Sequence, residues 1–226
     1  NKMRADFLEY FRKKMHNKDH KWKVVYNHFY NFVNGKCSFG DVTVELCKKF
    51  REYLLSAKQL KHSKHPVSQN SASAYYSTFR GLLKIAYIEK MFKENLNDYL
   101  EKIDCQDTKK EYLTLDEVKR LAATPCKIPV LKAASLFSCL TGLRISDILN
   151  LQWSDFGLAP DRGYCIRIRT QKTKTEATLP ISYEAYELCG EVGTGKVFKG
   201  LTRSMINYPL KHWLAEAGIE KHVTFH

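Results

Sequence analysis

The sequence predicts a mainly α-helical chain with one small β-hairpin, arranged in two parts. Three observations predict it. Apolar residues recur at helical spacing through roughly the first 90 positions. A polar, aperiodic run covers residues 100–112. Beyond that run, residues 163–170 alternate apolar and polar side chains, as a half-buried strand does.

The elements follow in order. Phe7, Phe11 and Met15 share one helical face, and Trp22, Val25, Tyr26, Phe29 and Val33 share the next, which Asn34-Gly35 stops. Asp41 precedes a third helix with Val44, Cys47, Phe50 and Leu54 on one side. A basic loop from Lys58 to Pro66, with Lys61, His62, Lys64 and His65, leads to a fourth carrying Tyr76, Phe79, Leu83, Ala86 and Tyr87. Such stripes are core far more often than ligand sites, so a small helical bundle is expected. After the polar run, Thr114 with Glu117 has the form of a capping box, each side chain satisfying a free backbone N–H. Pro129 opens a longer apolar helix that Thr141-Gly142 ends. Tyr164, Ile166 and Ile168 alternate with Cys165, Arg167 and Arg169. Thr178–Ile181 is the returning strand, with the polar tip Gln171–Glu176 between them. Helices are expected at about 183–190 and 203–217, and no internal repeat is visible.

Composition bounds the function. With 44% apolar and 12% aromatic residues in 226, the chain can bury a core, which excludes wholesale disorder. No run of about 18 apolar residues occurs, so no membrane span is expected. Asn1-Lys2-Met3-Arg4 has neither an apolar signal core nor an initiator methionine, and the chain is expected to start inside a longer reading frame. The net charge is +13, unevenly spread: residues 1–64 carry +9, residues 65–105 balance to zero, and residues 106–226 carry +4. A basic front end favours a polyanion partner; charge alone leaves a merely soluble surface equally open. The seven cysteines (37, 47, 105, 126, 139, 165 and 189) form no CxxC pair, and Cys139 sits in the apolar run Leu136–Leu140. Reduced, buried thiols of a cytosolic protein are expected. His16 with His20, or His62 with His65, lack further ligands at metal spacing, so no metal or other cofactor is expected.

The chemistry concentrates in residues 136–155. An apolar helix breaks at Thr141-Gly142 and places Arg144 just beyond the break. A short helix with Asp147, Ile148, Leu149 and Leu151 follows. An arginine at a helix junction can offer its planar fork to a phosphate, and a lysine on a hairpin tip can project into a groove. By composition alone, an Arg144–Asp147 structural pair and a solvated lysine-rich turn are as good a reading.

This segment resembles the first catalytic-arginine box of the tyrosine recombinase (phage integrase) family, approximately T-G-x-R-x-[SG]-[DE]-[IL]-x-x-L-x-W-x-D. Thr141, Gly142, Arg144, Ser146, Asp147, Ile148, Leu151, Trp153 and Asp155 all fit. Thr170–Thr173 with Thr178–Ile181 resembles the family's hairpin bearing the catalytic lysine; counting back from Pro180 favours Lys172 over Lys174. Val223-Thr224-Phe225-His226 resembles the run-in to its H-x-x-R box, and Tyr112–Val118 the start of its catalytic domain. The N-terminal bundle resembles the core-binding domain, most clearly from Ser73 to Tyr87. The resemblance implies a SAM-like core-binding domain over 1–104, a linker over 105–112, and an α+β catalytic domain over 113–226, incomplete at its C-terminus.

Roles follow from the resemblance alone. Arg144 clamps the scissile phosphate, Lys172 protonates the leaving 5′-hydroxyl, and His226 adds a hydrogen bond or assists proton transfer. Asp147 and Lys174 support them. The second arginine and the tyrosine nucleophile are expected beyond His226, so the chain by itself is expected to bind DNA without cleaving it. Of its 13 tyrosines the last, Tyr208, precedes the H-x-x-R position and is expected to pack beside Trp213 or against a loop. The implied partners are double-stranded DNA, a homotetramer on DNA and accessory DNA-bending proteins, with no membrane. The implied setting is a mobile element in the bacterial cytoplasm, at the nucleoid. Two other classes remain open at this point: a DNA-binding relative without catalysis, and an unrelated helical nucleic-acid-binding module.

Overall fold

A computed structural model describes residues 2–62, 64–160, 162–169 and 175–225. The chain divides into two compact units, Asn1–Thr108 and Lys109–His226.

The first unit is a helical bundle: α1 (Phe7–Lys14), α2 (His20–Phe32), α3 (Val44–Ser56) and α4 (Gln69–Ile88), followed by a 3₁₀ turn at Leu96–Tyr99. Each helix opens on a side-chain cap. Asp6, Asp19, Thr43 and Ser68 accept the backbone N–H of Glu9, Lys21, Leu46 and Ser71, which the helix itself leaves unpaired. α2 stops at the expected dipeptide: Asn34 and Gly35 take φ of 52° and 76°. The third helix starts at its Thr43 cap, while Asp41 closes the preceding turn by accepting from the backbone and hydroxyl of Ser38.

The core of this unit is aromatic. Phe79 lies at its centre, its ring 4.9 Å from that of Phe50 and 5.0 Å from that of Phe29, with Tyr76 and Phe7 at 6.3 and 6.4 Å. These rings are fully or almost fully buried. Burying each contributes about 1.5–3 kcal/mol, and favourable edge-to-face contacts add to that.

The expectation of a free linker over 100–112 needs correction for its first half. Leu100 and Ile103 are buried in the bundle core. Ser73 donates to the Ile103 carbonyl at 2.7 Å, and the Asn70 amide both donates to and accepts from the Gln106 backbone. Two apolar residues spaced by three, facing polar side chains of α4, hold the segment down. A composition reading sees the polar majority and misses them.

The second unit holds α5 (Leu115–Ala123), α6 (Pro129–Thr141), α7 (Ile145–Ile148), a 3₁₀ turn at Trp153–Asp155, the strands β1 (Phe156–Leu158), β2 (Tyr164–Arg169) and β3 (Glu176–Pro180), then α8 (Tyr183–Glu187) and α9 (Tyr208–Glu216). The Thr114/Glu117 capping box is formed in both directions. The sheet is antiparallel in the order β1-β2-β3, with Ile168 opposite Ala177 and Arg169 opposite Glu176. The hairpin pairs the two expected strands, but β3 already includes Glu176, which was expected in the tip, and β1 is an added strand too short to show a period. As the middle strand, β2 buries Cys165 as well as Ile166, so its alternation is imperfect.

Around α6, Leu131, Ala134 and Phe137 pack with Ile148, Leu151, Ile166, Ala185, Trp213 and Leu214. The Trp213 indole N–H donates to the Thr124 carbonyl. A further expectation is corrected. The last helix begins at Tyr208 rather than 203, because Pro209 belongs in a first turn, where its missing N–H costs nothing. Tyr208 has an exposed side chain at that helix start, its ring 6.2 Å from that of His212, and it borders one hollow with Trp213 and the 126–128 loop. All seven cysteines are free. Cys139, read as apolar-surrounded, lies on the exposed side of α6 near its end. Among the described residues no group of three or more His, Cys, Asp or Glu side chains is placed to hold a metal ion, and no helix is long and apolar enough to cross a membrane.

Candidate active site

The site is built on the end of α6. The helix buries its apolar face and then needs a clean stop. Gly142 supplies it in the left-handed conformation (φ 68°), its N–H bonded to the Ser138 carbonyl. The Thr141 hydroxyl turns back to the Phe137 carbonyl at 2.7 Å, and Ser138 donates to the Leu143 carbonyl at 3.0 Å. A Cβ on Gly142 meets nothing within 4 Å, so its requirement is conformational and not steric. Gly142→Ala is expected to cost about 1–2 kcal/mol, the penalty of a side chain in the left-handed region, measurable as a lowered urea midpoint.

Beyond the stop, the chain divides its labour clearly. Leu143, Ile145, Ile148 and Leu151 are buried. Asp155 caps the 3₁₀ turn through the Gln152 N–H at 2.8 Å. Trp153 packs its ring on Phe156 and Tyr186, and the backbone of 151–153 pairs with 195–197. These residues position; Arg144 is what they present. It occupies the N-cap of α7 in an extended conformation and is half-buried. Among the described residues its side chain makes no hydrogen bond and no ion pair, which leaves five guanidinium donors uncommitted. That answers the structural-pair reading: Arg144 and Asp147 line different hollows.

The Arg144 hollow has a volume of about 270 Å³. Its wall includes Val223, Thr224 and Phe225, so the run-in to His226 passes beside Arg144. Asp147 is buried and lines a neighbouring hollow with Asp155, Ile168 and Arg169. The turn end of β2 thus meets the arginine segment. Lys172, Lys174 and His226 lie outside the described residues.

Sequence reading missed the fastening of the 221–225 segment. Lys221 donates to the Glu117 carboxylate at 2.8 Å and to the Tyr112 carbonyl at 3.3 Å, and the His222 N–H donates to Glu111 at 2.5 Å. Glu111, Tyr112 and the buried Ser135 also line the Arg144 hollow. No spacing rule links residues over a hundred positions apart; the only local signal was Glu117, which its capping box already explained. Its hydrogen bond from Lys221, with those from Thr114, lowers the Glu117 carboxyl to about 2. A carboxylate depressed in the folded state stabilises above its unfolded value, about 4.5, and loses that contribution as pH falls towards about 2. The protection of the 221–225 amides, measured as exchange relative to the intrinsic rate at each pH, is expected to fall across that interval, and Lys221→Met is expected to lower it at neutral pH. Exchange that ignores both changes would refute the fastening.

Residues 5–114 match the phage integrase SAM-like domain and residues 111–226 the phage integrase family. The chain belongs to the phage integrase family. A lambda integrase dimer bound to a COC′ core site matches with a TM-score of 0.71 at 17% identity, over 97% of this chain and 81% of that one. A lambda integrase tetramer bound to a Holliday junction matches with 0.63 at 17%, over 95% and 64%. XerH recombinase in a pre-cleavage complex with its difH substrate matches with 0.60 at 15%, over 96% and 68%. At such identities the likeness is one of fold. Among curated proteins no relative matches the chain.

Proposed function

We propose that this chain grips duplex DNA and activates the scissile phosphate in a site-specific recombinase of a mobile element, working through a 3′-phosphotyrosine link. The observation that carries the reading is Arg144: half-buried, uncommitted, and sharing a hollow with the 223–225 run-in. A tyrosine hydroxyl attacks the phosphorus, the 3′-phosphotyrosine bond forms, and the 5′-oxygen leaves. Charge rises on the non-bridging oxygens, where a fixed guanidinium stabilises it without reorganising. The family pattern assigns the proton for the leaving oxygen to Lys172, with Lys174 in support. It assigns an added hydrogen bond to the phosphate to His226, and the support of the arginine segment to Asp147. The covalent link conserves the bond energy, so rejoining to a new end needs no nucleotide cofactor. Family membership favours catalysis over the DNA-binding relative without it. Assembly as a homotetramer on two duplexes, help from DNA-bending proteins and a place at the bacterial nucleoid belong to the same proposal.

None of the 13 tyrosines in residues 1–226 serves as nucleophile in this reading, although Tyr112 borders the Arg144 hollow. The test uses a nicked core-site duplex and the 226-residue chain. Binding is expected to weaken steeply with salt, since phosphate contacts release counterions. No covalent adduct is expected on a denaturing gel. Salt-insensitive binding would overturn the DNA grip, and an adduct mapped to Tyr112 would overturn the family-order assignment of the nucleophile.

A further inference from the structure

The first unit holds a second hollow, unrelated to the catalytic chemistry. It measures about 520 Å³ and lies between α2, the 57–68 loop and the start of α4. Its charged and titratable lining is basic throughout: His20 and Lys23 from α2, Lys61 and His62 from the loop. Among the described residues no carboxylate lines it. Ser68 and Ser71 bring the first turn of the 20-residue helix α4 to its wall, where the helix dipole favours an anion although Ser68 already caps the Ser71 N–H. His28 also lines it. That imidazole is 1% exposed, and its Nδ1 has no hydrogen-bond partner. A buried, unsatisfied ring nitrogen among cations calls for an explanation, because such a group ordinarily costs about 1–3 kcal/mol.

We infer that this hollow is a seat for a phosphate of the nucleic-acid backbone, held by Lys23, Lys61 and the start of α4, and that His28 takes up a proton as the phosphate enters. The inference rests on the DNA-binding reading above and names a contact within it. The groups facing His28 fix the direction of the linkage. The rings of Tyr75 on α4 and Tyr53 on α3 stand 5.6 and 6.0 Å away, and the remaining charged neighbours in the hollow are cations. Burial holds the imidazole below its ordinary value, so it is neutral at pH 7. An arriving phosphate supplies the missing negative charge and raises that value. Binding should therefore absorb a proton and tighten as pH falls through the range where histidines titrate.

Nitrogen-15 spectra of the histidine rings in the 226-residue chain read this directly. Duplex DNA is expected to move the His28 resonances towards the imidazolium form at pH 7. Lys23→Gln with Lys61→Gln, both at exposed positions, is expected to weaken duplex binding roughly tenfold and abolish the shift. His28→Gln is expected to remove the proton uptake seen by calorimetry in buffers of different ionisation enthalpy. Should that variant fail to fold, the lysine pair still decides. Inorganic pyrophosphate separates the two readings. If it moves His28 while duplex DNA does not bind, the phosphate seat stands and the recombinase reading falls. If duplex binds with His28 unmoved and the lysine variant binds as wild type, the seat is overturned and the recombinase reading stands. If neither probe binds, both fall.

Discussion

Arg144→Lys is expected to cut DNA cleavage by about 10²–10³-fold in a cleavage-competent protein containing this chain, with DNA affinity little changed. The size follows from geometry. Arginine offers a rigid planar fork that meets two phosphate oxygens at once; lysine offers a single flexible point charge. The local sequence leaves no substitute nearby, since residues 141–155 hold no other arginine or lysine. Binding survives because one phosphate contact is a small share of an interface built from many. The decisive measurement is the single-turnover rate on a suicide substrate, paired with an equilibrium affinity. A variant that cleaves at the wild-type rate would remove Arg144 from the chemistry. One that loses binding and cleavage in equal proportion would make it a grip residue only.

The second large effect concerns the bundle. Phe79→Ala is expected to destabilise the first unit by about 3–5 kcal/mol. Phe79 is fully buried and touches the rings of α2 and α3, so its loss opens a void that three helices must close. A domain of this size is stable by about 5–15 kcal/mol, so the loss takes a large share. Trp22 makes the measurement specific. It is the one tryptophan of the first unit, with its ring 6.2 Å from that of Phe11, so its fluorescence follows this unit's urea transition. Phe79→Leu should recover part of the loss. An unchanged Trp22 transition in the alanine variant would mean that Phe79 is not the keystone of the bundle.

These two residues also mark what was legible in the sequence. Phe79 was visible because helical periodicity is local: the stripe on α4 requires only its own neighbours. The stop of α6 was visible for the same reason, since Thr141-Gly142 encodes a left-handed turn within two residues. Arg144 was ambiguous by composition, and the run of matched positions around it, not its own chemistry, singled it out. The fastening of 221–225 was illegible, because Glu117 meets Lys221 and Glu111 meets the His222 N–H only through tertiary structure. Leu100 and Ile103 were lost in a polar background, and β1 was too short to carry a period. The exposure of Cys139 is illegible in sequence because an apolar run does not say which way a side chain faces on a helix.

The meeting of residues 111–117 with 221–222 has a mechanical consequence. These contacts join the beginning and the end of the second unit's described chain. A pull arriving from the 111 side therefore loads these hydrogen bonds before it reaches the packed core around Phe137 and Trp213, whereas Val223 and Phe225 are themselves buried in that core. Such polar, partly exposed bonds give way at lower free energy than a core does. Two of these contacts, at Glu111 and Tyr112, lie on the wall of the Arg144 hollow. Tension arriving through residues 109–112 would thus reach the wall of the Arg144 hollow before the core, making that wall a natural strain gauge for load on the chain.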